Sequence, residues 1–183
     1  YPAPGSPQLV ERVIGLAGAD SIQPDTSWGF DHGVWCVAQP MFPACDIPTV
    51  GMSLNRSLSA DAHVALARKL TPLRDEGVLI VGSGNIVHNL RYWYQWANGM
   101  PADITAFGER IVAAVEHDAI DALTHFSPDD RAAALAVNSA EHYLPLLYTA
   151  GVRTASDEIL VFNHDAPEGV SMASIVVGAQ TLQ

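Results

Sequence analysis

The sequence predicts an α/β domain: a central sheet, mostly parallel or mixed, flanked by helices in a single domain. Three observations predict it. Val78-Leu79-Ile80-Val81 is a short apolar run of the buried-strand type, broken at once by Gly82-Ser83-Gly84-Asn85. A helical stretch ending near Asp75 leads through Gly77 directly into that run, which is the repeating unit of a sheet with crossover helices. Two more apolar strands, Glu158–Phe162 and Met172–Val177, finish the chain. With 183 residues, 49% of them apolar and 16% charged, the chain has the length and composition for a real core.

Each element has a local reason. Ser6-Pro7 opens a helix, serine as N-cap and proline at the first helical position, and Leu9, Val10, Val13, Ile14 and Ala17 repeat at helical spacing up to Gly18. Residues 20–35 read as a loop dense in aromatics, with His32 beside Asp31 in Asp31-His32-Gly33. Ile47–Leu54 has the shape of a strand introduced by turn residues. Ser59 caps a second helix through about Asp75, with Ala62, Leu66, Leu70 and Leu73 inward, and Pro72 interrupts it near its end. After the central strand, Tyr92, Trp93, Tyr94 and Trp96 crowd a segment suited to core or subunit contact, so a homo-oligomer stays open. Residues 103–124 form a long amphipathic helix with Ile104, Phe107, Ile111, Ala114 and Val115 inward. Ser127-Pro128 starts another helix, and Asn138–Leu147 precedes a helical run ending at Gly151.

Charge and composition exclude several partners. Nine basic residues against twenty acidic ones give a net charge of −11, the wrong sign for gripping nucleic-acid phosphates. No apolar run approaches the roughly 18–20 residues that a membrane helix needs. Cys36 and Cys45 form neither a CxxC nor a zinc-ribbon pattern and read as reduced thiols of a cytoplasmic protein, a disulfide between them being the minority reading. The opening Tyr1-Pro2-Ala3-Pro4-Gly5-Ser6-Pro7 resembles an internal connection, so the chain is expected to be part of a longer protein.

Of seven histidines, three lie in stretches with unusual chemistry: His32, His88 and His142. His88 follows the glycine-broken strand, and the carboxyl edge of a strand is where open α/β sheets bind ligands. Packing under a turn is the plain alternative. Glu141 stands next to His142, while His63, His117 and His125 fall on or beside helices and read as solvated; His164 reads as lying in a turn. There is no HExxH, no phosphate-binding loop, no complete dinucleotide fingerprint and no nucleophile elbow.

Asp31–Trp35 (DHGVW), Met41–Asn55 (MFPACDIPTVGMSLN), Gly77–Arg91 (GVLIVGSGNIVHNLR) and Ala140–Gly151 (AEHYLPLLYTAG) occur in this order. Together with Gly169–Ser174 they resemble the DODA-type class III extradiol ring-cleavage dioxygenases of the LigB-like superfamily. The resemblance implies a non-haem Fe(II) enzyme, with Zn(II) able to occupy the same site, that opens a small catechol beside its hydroxyls with O2, a DOPA-like compound first among substrates. It implies His142 as a metal ligand, Glu141 as its alternative, and His88 either on the metal or beside it as acid–base. His32 would contact substrate, oriented by Asp31, or else simply tie down its loop. Neutral imidazoles and a carboxylate suit a divalent ion with open positions. Family members extend further at the amino end, where a His-Gly-Ser-Pro loop and another histidine complete the metal site; neither precedes Tyr1. Residues 1–183 are thus expected to be a partial catalytic domain. The alternatives are a non-catalytic metal- or ligand-binding relative and a zinc-dependent hydrolase on the same scaffold.

Overall fold

The computed structural model describes residues 1–92, 94–96, 98–164 and 169–178, and the chain divides into two units, Tyr1–Asn55 and Arg56–Gln183. In the first unit, α1 (Pro7–Ala17) starts where expected, with the Ser6 hydroxyl accepting from the Leu9 amide and Gly18 closing the helix at φ 98°. The aromatic loop ends earlier than expected, because α2 (His32–Met41) begins inside it. Asp31 is the reason: its carboxylate accepts from the Val34 amide, an N-cap that overrides the weak helical periodicity that follows. The strand expected at Ile47–Leu54 joins no ladder among the described residues; its Thr49 amide donates to the Pro4 carbonyl. Cys36 and Cys45 are both free thiols.

The second unit is built on two helical packings. Ser59 caps α3 (Ala60–Leu70), and Pro72 splits off the short α4 (Pro72–Asp75), as the proline predicts. The inward face of α3 is His63, Val64, Ala67 and Leu70, one position away from the expected Ala62 and Leu66. His63 is consequently buried, not solvated, and its Nδ1 lies 2.9 Å from the Tyr148 hydroxyl. Tyr148 sits on α8 (Leu144–Gly151), which packs on α3. A Cβ on Gly151 would meet the Ala67 Cβ at 2.6 Å, so this glycine lets the two helices approach closely.

The long helix expected over 103–124 is two: α5 (Ala102–Glu116) and α6 (Ile120–Thr124). The break falls at Asp118, in the left-handed region at φ 55°. All five expected inward residues of α5 are buried. Phe107 is the largest of the fully buried side chains; it meets Phe126 edge-on, and Phe126 meets Tyr143 the same way. Asp130, not Ser127, caps α7 (Arg131–Ala136) and is also bound by Arg110 at 2.5 Å. Of the aromatic cluster, Trp96 is buried under a stacked Tyr92 and Tyr94 is exposed, whereas Trp93 lies outside the described residues. His117 and His125 are exposed, as expected.

The α/β class holds, with a small mixed sheet content. β1 (Ile159–Phe162) and β2 (Ser174–Val177) pair antiparallel with Leu160 opposite Val176. His88 forms two isolated bridges, parallel to Val137 and antiparallel to Val170. The apolar run 78–81 is not itself paired. Residues 79–84 are extended and make no backbone hydrogen bond among the described residues, with Leu79 62% and Val81 53% exposed. Pairing starts only at Asn85. Among the described residues, no helix is long and apolar enough to cross a membrane.

Arg74 ties α4 to the start of β1. Its guanidinium reaches both Asp157 oxygens at 2.6 Å and the Val152 carbonyl at 2.8 Å. That guanidinium, helped by the Thr154 amide, holds the Asp157 carboxyl far below the ordinary carboxylate range. The linked stability is present in full above the ordinary value of 3.8 and is lost as pH falls below it. Asp157→Asn should therefore destabilise by about 1.5–3 kcal/mol at neutral pH, with most of the difference gone at about pH 2, as read by chemical unfolding at both pH values.

Candidate functional site

The stretch Asn85–Asn89 is gripped from both sides. The Asn85 amide donates to the His142 carbonyl at 2.8 Å, and the His88 amide to the Ala136 carbonyl at 3.0 Å. On the other side the Asn89 amide donates to Gly169, and Ser171 donates to Val87. Ile86 and Val87 are buried, and His88, between Val87 and Asn89, is half-buried. Asn89 is buried as well, and its amide group is satisfied: Nδ2 donates to the Leu135 carbonyl, and Oδ1 accepts from the Arg91 amide. Asn85 Nδ2 donates to the Ser171 carbonyl.

His142 ends a single 3-10 turn, Ala140–His142, just before Tyr143, whose buried hydroxyl donates to the Leu123 carbonyl. The result is a contact between distant parts of the sequence. The His88 and His142 rings stack face to face, with centroids 3.5 Å apart and planes 9° off parallel. Burial, and then the neighbouring His142, push the His88 imidazole below its ordinary value; Glu141 opposes this. Glu141 is exposed and held ionised, by hydrogen bonds from its own amide and the Ser139 hydroxyl and by the charge of Arg56. A cavity of about 60 Å³ lies beside His142, lined in part by Gly82, Gly84, Asn85 and Leu146. It is well below the roughly 300–1,000 Å³ of a typical ligand cleft.

His32 and Asp31 belong to the other unit. Asp31 caps α2, so its carboxylate fixes the helix on which His32 sits, and the His32 ring packs edge-on against Trp35. Sequence reasoning read Gly84 and Asn85 only as the break that ends a strand, and it passed over Asn89. Their signal was faint: a polar pair bracketing Ile86-Val87-His88 instead of the alternation of a half-buried strand.

Residues 1–175 match the family model described as the catalytic LigB subunit of aromatic ring-opening dioxygenase. The chain belongs to the LigB family. Among its LigB-type relatives, an Escherichia coli K12 protein named 4,5-DOPA dioxygenase extradiol is 38% identical over 191 residues, covering 96% of this chain and 65% of that protein. Proteins of the same name from Beta vulgaris and Portulaca grandiflora are 32% and 34% identical, each over 82% of this chain and 58% and 57% of their own lengths. The chain thus spans somewhat less than two thirds of the curated relatives it matches. A crystal structure of an uncharacterized E. coli K12 protein superposes with a TM-score of 0.81 at 36% identity, over 96% of this chain and 74% of that one.

Each imidazole of the stacked pair could offer an in-plane nitrogen to a divalent ion. No group of three or more His, Cys, Asp or Glu able to hold a metal ion occurs among the described residues. One ring of the pair can bind an ion in its plane.

Proposed function

We propose that residues 1–183 form part of the catalytic domain of an extradiol dioxygenase that opens a small catechol with O2. A DOPA-like compound is the first substrate to test, because relatives at 32–38% identity carry that name. The observation that carries the reading is the stacked His88–His142 pair in a LigB-family chain. Such an activity calls on Fe(II), with Zn(II) as its substitute. His142 is the ligand this unit would offer, and Glu141 is the alternative. The described donors do not complete a site, so the roles assigned to this chain are those of its own side chains.

His88 is the proton carrier in this reading. Burial, and then the neighbouring His142, lower the proton affinity of its imidazole and so favour the neutral ring, whose free nitrogen can accept a catechol hydroxyl proton and return it later. Its backbone is fixed from both sides, so the ring holds its place as the charge moves. His32 contacts the substrate, and Asp31 sets the start of its helix.

The test supplies the chain with Fe(II) and a DOPA-like catechol and follows O2 uptake together with the absorbance of the ring-opened product. Uptake matched to product supports the reading. Metal binding without uptake would make the chain a non-catalytic relative, and ester turnover with Zn(II) but none with catechol and Fe(II) would make it a hydrolase. In the complete protein His142→Ala should abolish metal retention; unchanged metal content would move the ligand to Glu141 or elsewhere.

A further inference from the structure

The His142 main chain sits in a slot made by absent side chains. A Cβ on Gly84 would lie 2.1 Å from the His142 carbonyl oxygen and 3.2 Å from Pro145 Cγ; one on Gly82 would lie 2.5 Å from the Pro145 carbonyl oxygen. The two carbonyl contacts are with backbone, which cannot swing aside as a flexible side chain can. The carbonyl that Gly84 admits is the one that accepts from the Asn85 amide at 2.8 Å. Asn85 then reaches the other way, its Nδ2 donating to the Ser171 carbonyl at 2.8 Å. Ser171 in turn donates its amide to Val87, next to His88.

We infer that Gly84 and Asn85 are positioning residues that set the register of the His88–His142 ring pair. Gly84 does so by seating the His142 carbonyl, and Asn85 by locking that seat to the 169–171 segment. No hydrogen bond or covalent link between the rings is needed. Both imidazoles hang from backbone fixed to one stretch, at Asn85 for His142 and at the Ala136 carbonyl for His88. A shift of the seat by a fraction of an ångström slides one ring across the other. The catalytic consequence rests on the reading of this pair as the reacting groups; the geometric one does not.

The experiment separates the two. Face-to-face rings 3.5 Å apart shield each other's protons, so the His88 and His142 ring-proton NMR signals of the metal-free chain should stand upfield of ordinary histidine. Spectra are taken at about pH 8, where imidazoles are neutral. Assignment comes from His88→Gln and His142→Gln. Gly84→Ala should return both signals to ordinary positions, while the His63 signal stays unmoved. Asn85→Ala should shift them partway, and Asn85→Asp at least as far, because a carboxylate facing the Ser171 carbonyl repels it. If only volume mattered, Asn85→Asp would behave as wild type. Should Gly84→Ala fail to fold, the two Asn85 variants decide. Unmoved ring signals in Asn85→Asp and in a folded Gly84→Ala would overturn the inference. In O2 uptake, Asn85→Asp should lower kcat about 100-fold with little change in KM, the effect of misplacing a reacting group by about 1 Å. Wild-type chain without uptake, but with ring signals that move in the variants, sinks the dioxygenase reading and leaves the positioning role standing.

Discussion

His88→Gln is expected to lower catechol turnover by about 100- to 10,000-fold, the usual contribution of a positioned acid–base group. Substrate binding and metal content should change little, because glutamine retains the bulk and a hydrogen-bonding end but cannot carry a proton at neutral pH. Loss of bound metal in this variant would instead make His88 a ligand. The wild-type pH profile gives an independent check. Burial and His142 depress the His88 value, so the acid limb of kcat/KM should fall below the ordinary 6.5. The same depression makes the unfolded chain the better proton binder. Stability linked to His88 is therefore present in full above 6.5 and declines as pH falls below it. An acid limb above that value would mean that some other group titrates.

Phe107→Ala is expected to destabilise the second unit by about 3–5 kcal/mol, since it removes a large buried ring and leaves a cavity the helices can close only in part. Phe107 is 1% exposed and begins a relay of edge-on rings through Phe126 to Tyr143. Tyr143 follows His142 and is pinned to Leu123, so the site should loosen as the relay does. Phe107→Leu, which keeps most of the volume, should lose less than about 1.5 kcal/mol. The difference is read from urea midpoints at constant slope. Equal midpoints for the two variants would show that the ring is not what the core depends on.

Local signals are legible in the sequence where a single residue decides the backbone. Ser6 and Ser59 cap as their positions predict, Pro72 breaks its helix, and the inward face of α5 is the one its spacing predicts. Where two apolar options lie one position apart, periodicity alone does not choose between them. The face of α3 runs through His63 and Val64, which makes a core residue, hydrogen-bonded near Tyr148, of a histidine whose helical setting suggests solvent. The strand lies elsewhere for a different reason. Val78–Val81 has the more apolar composition, but the backbone partners come from Ala136, His142, Gly169 and Ser171, and they meet the chain at Asn85–Asn89. No local pattern encodes that choice. The pairing of His88 with His142 is likewise beyond spacing arguments, and only the ordered motifs of a known family point to both residues.

The uncovered run beyond Gly77 has a practical consequence. Its amides and carbonyls, without a backbone partner among the described residues and with Leu79 and Val81 exposed, form an adhesive seam to which an extended peptide could add. Identical copies share a net charge of −11, and that repulsion, which salt weakens, opposes edge-to-edge pairing. Clouding of a concentrated sample should accordingly follow ionic strength more closely than warmth, and start along that seam while the helices beneath it are still intact.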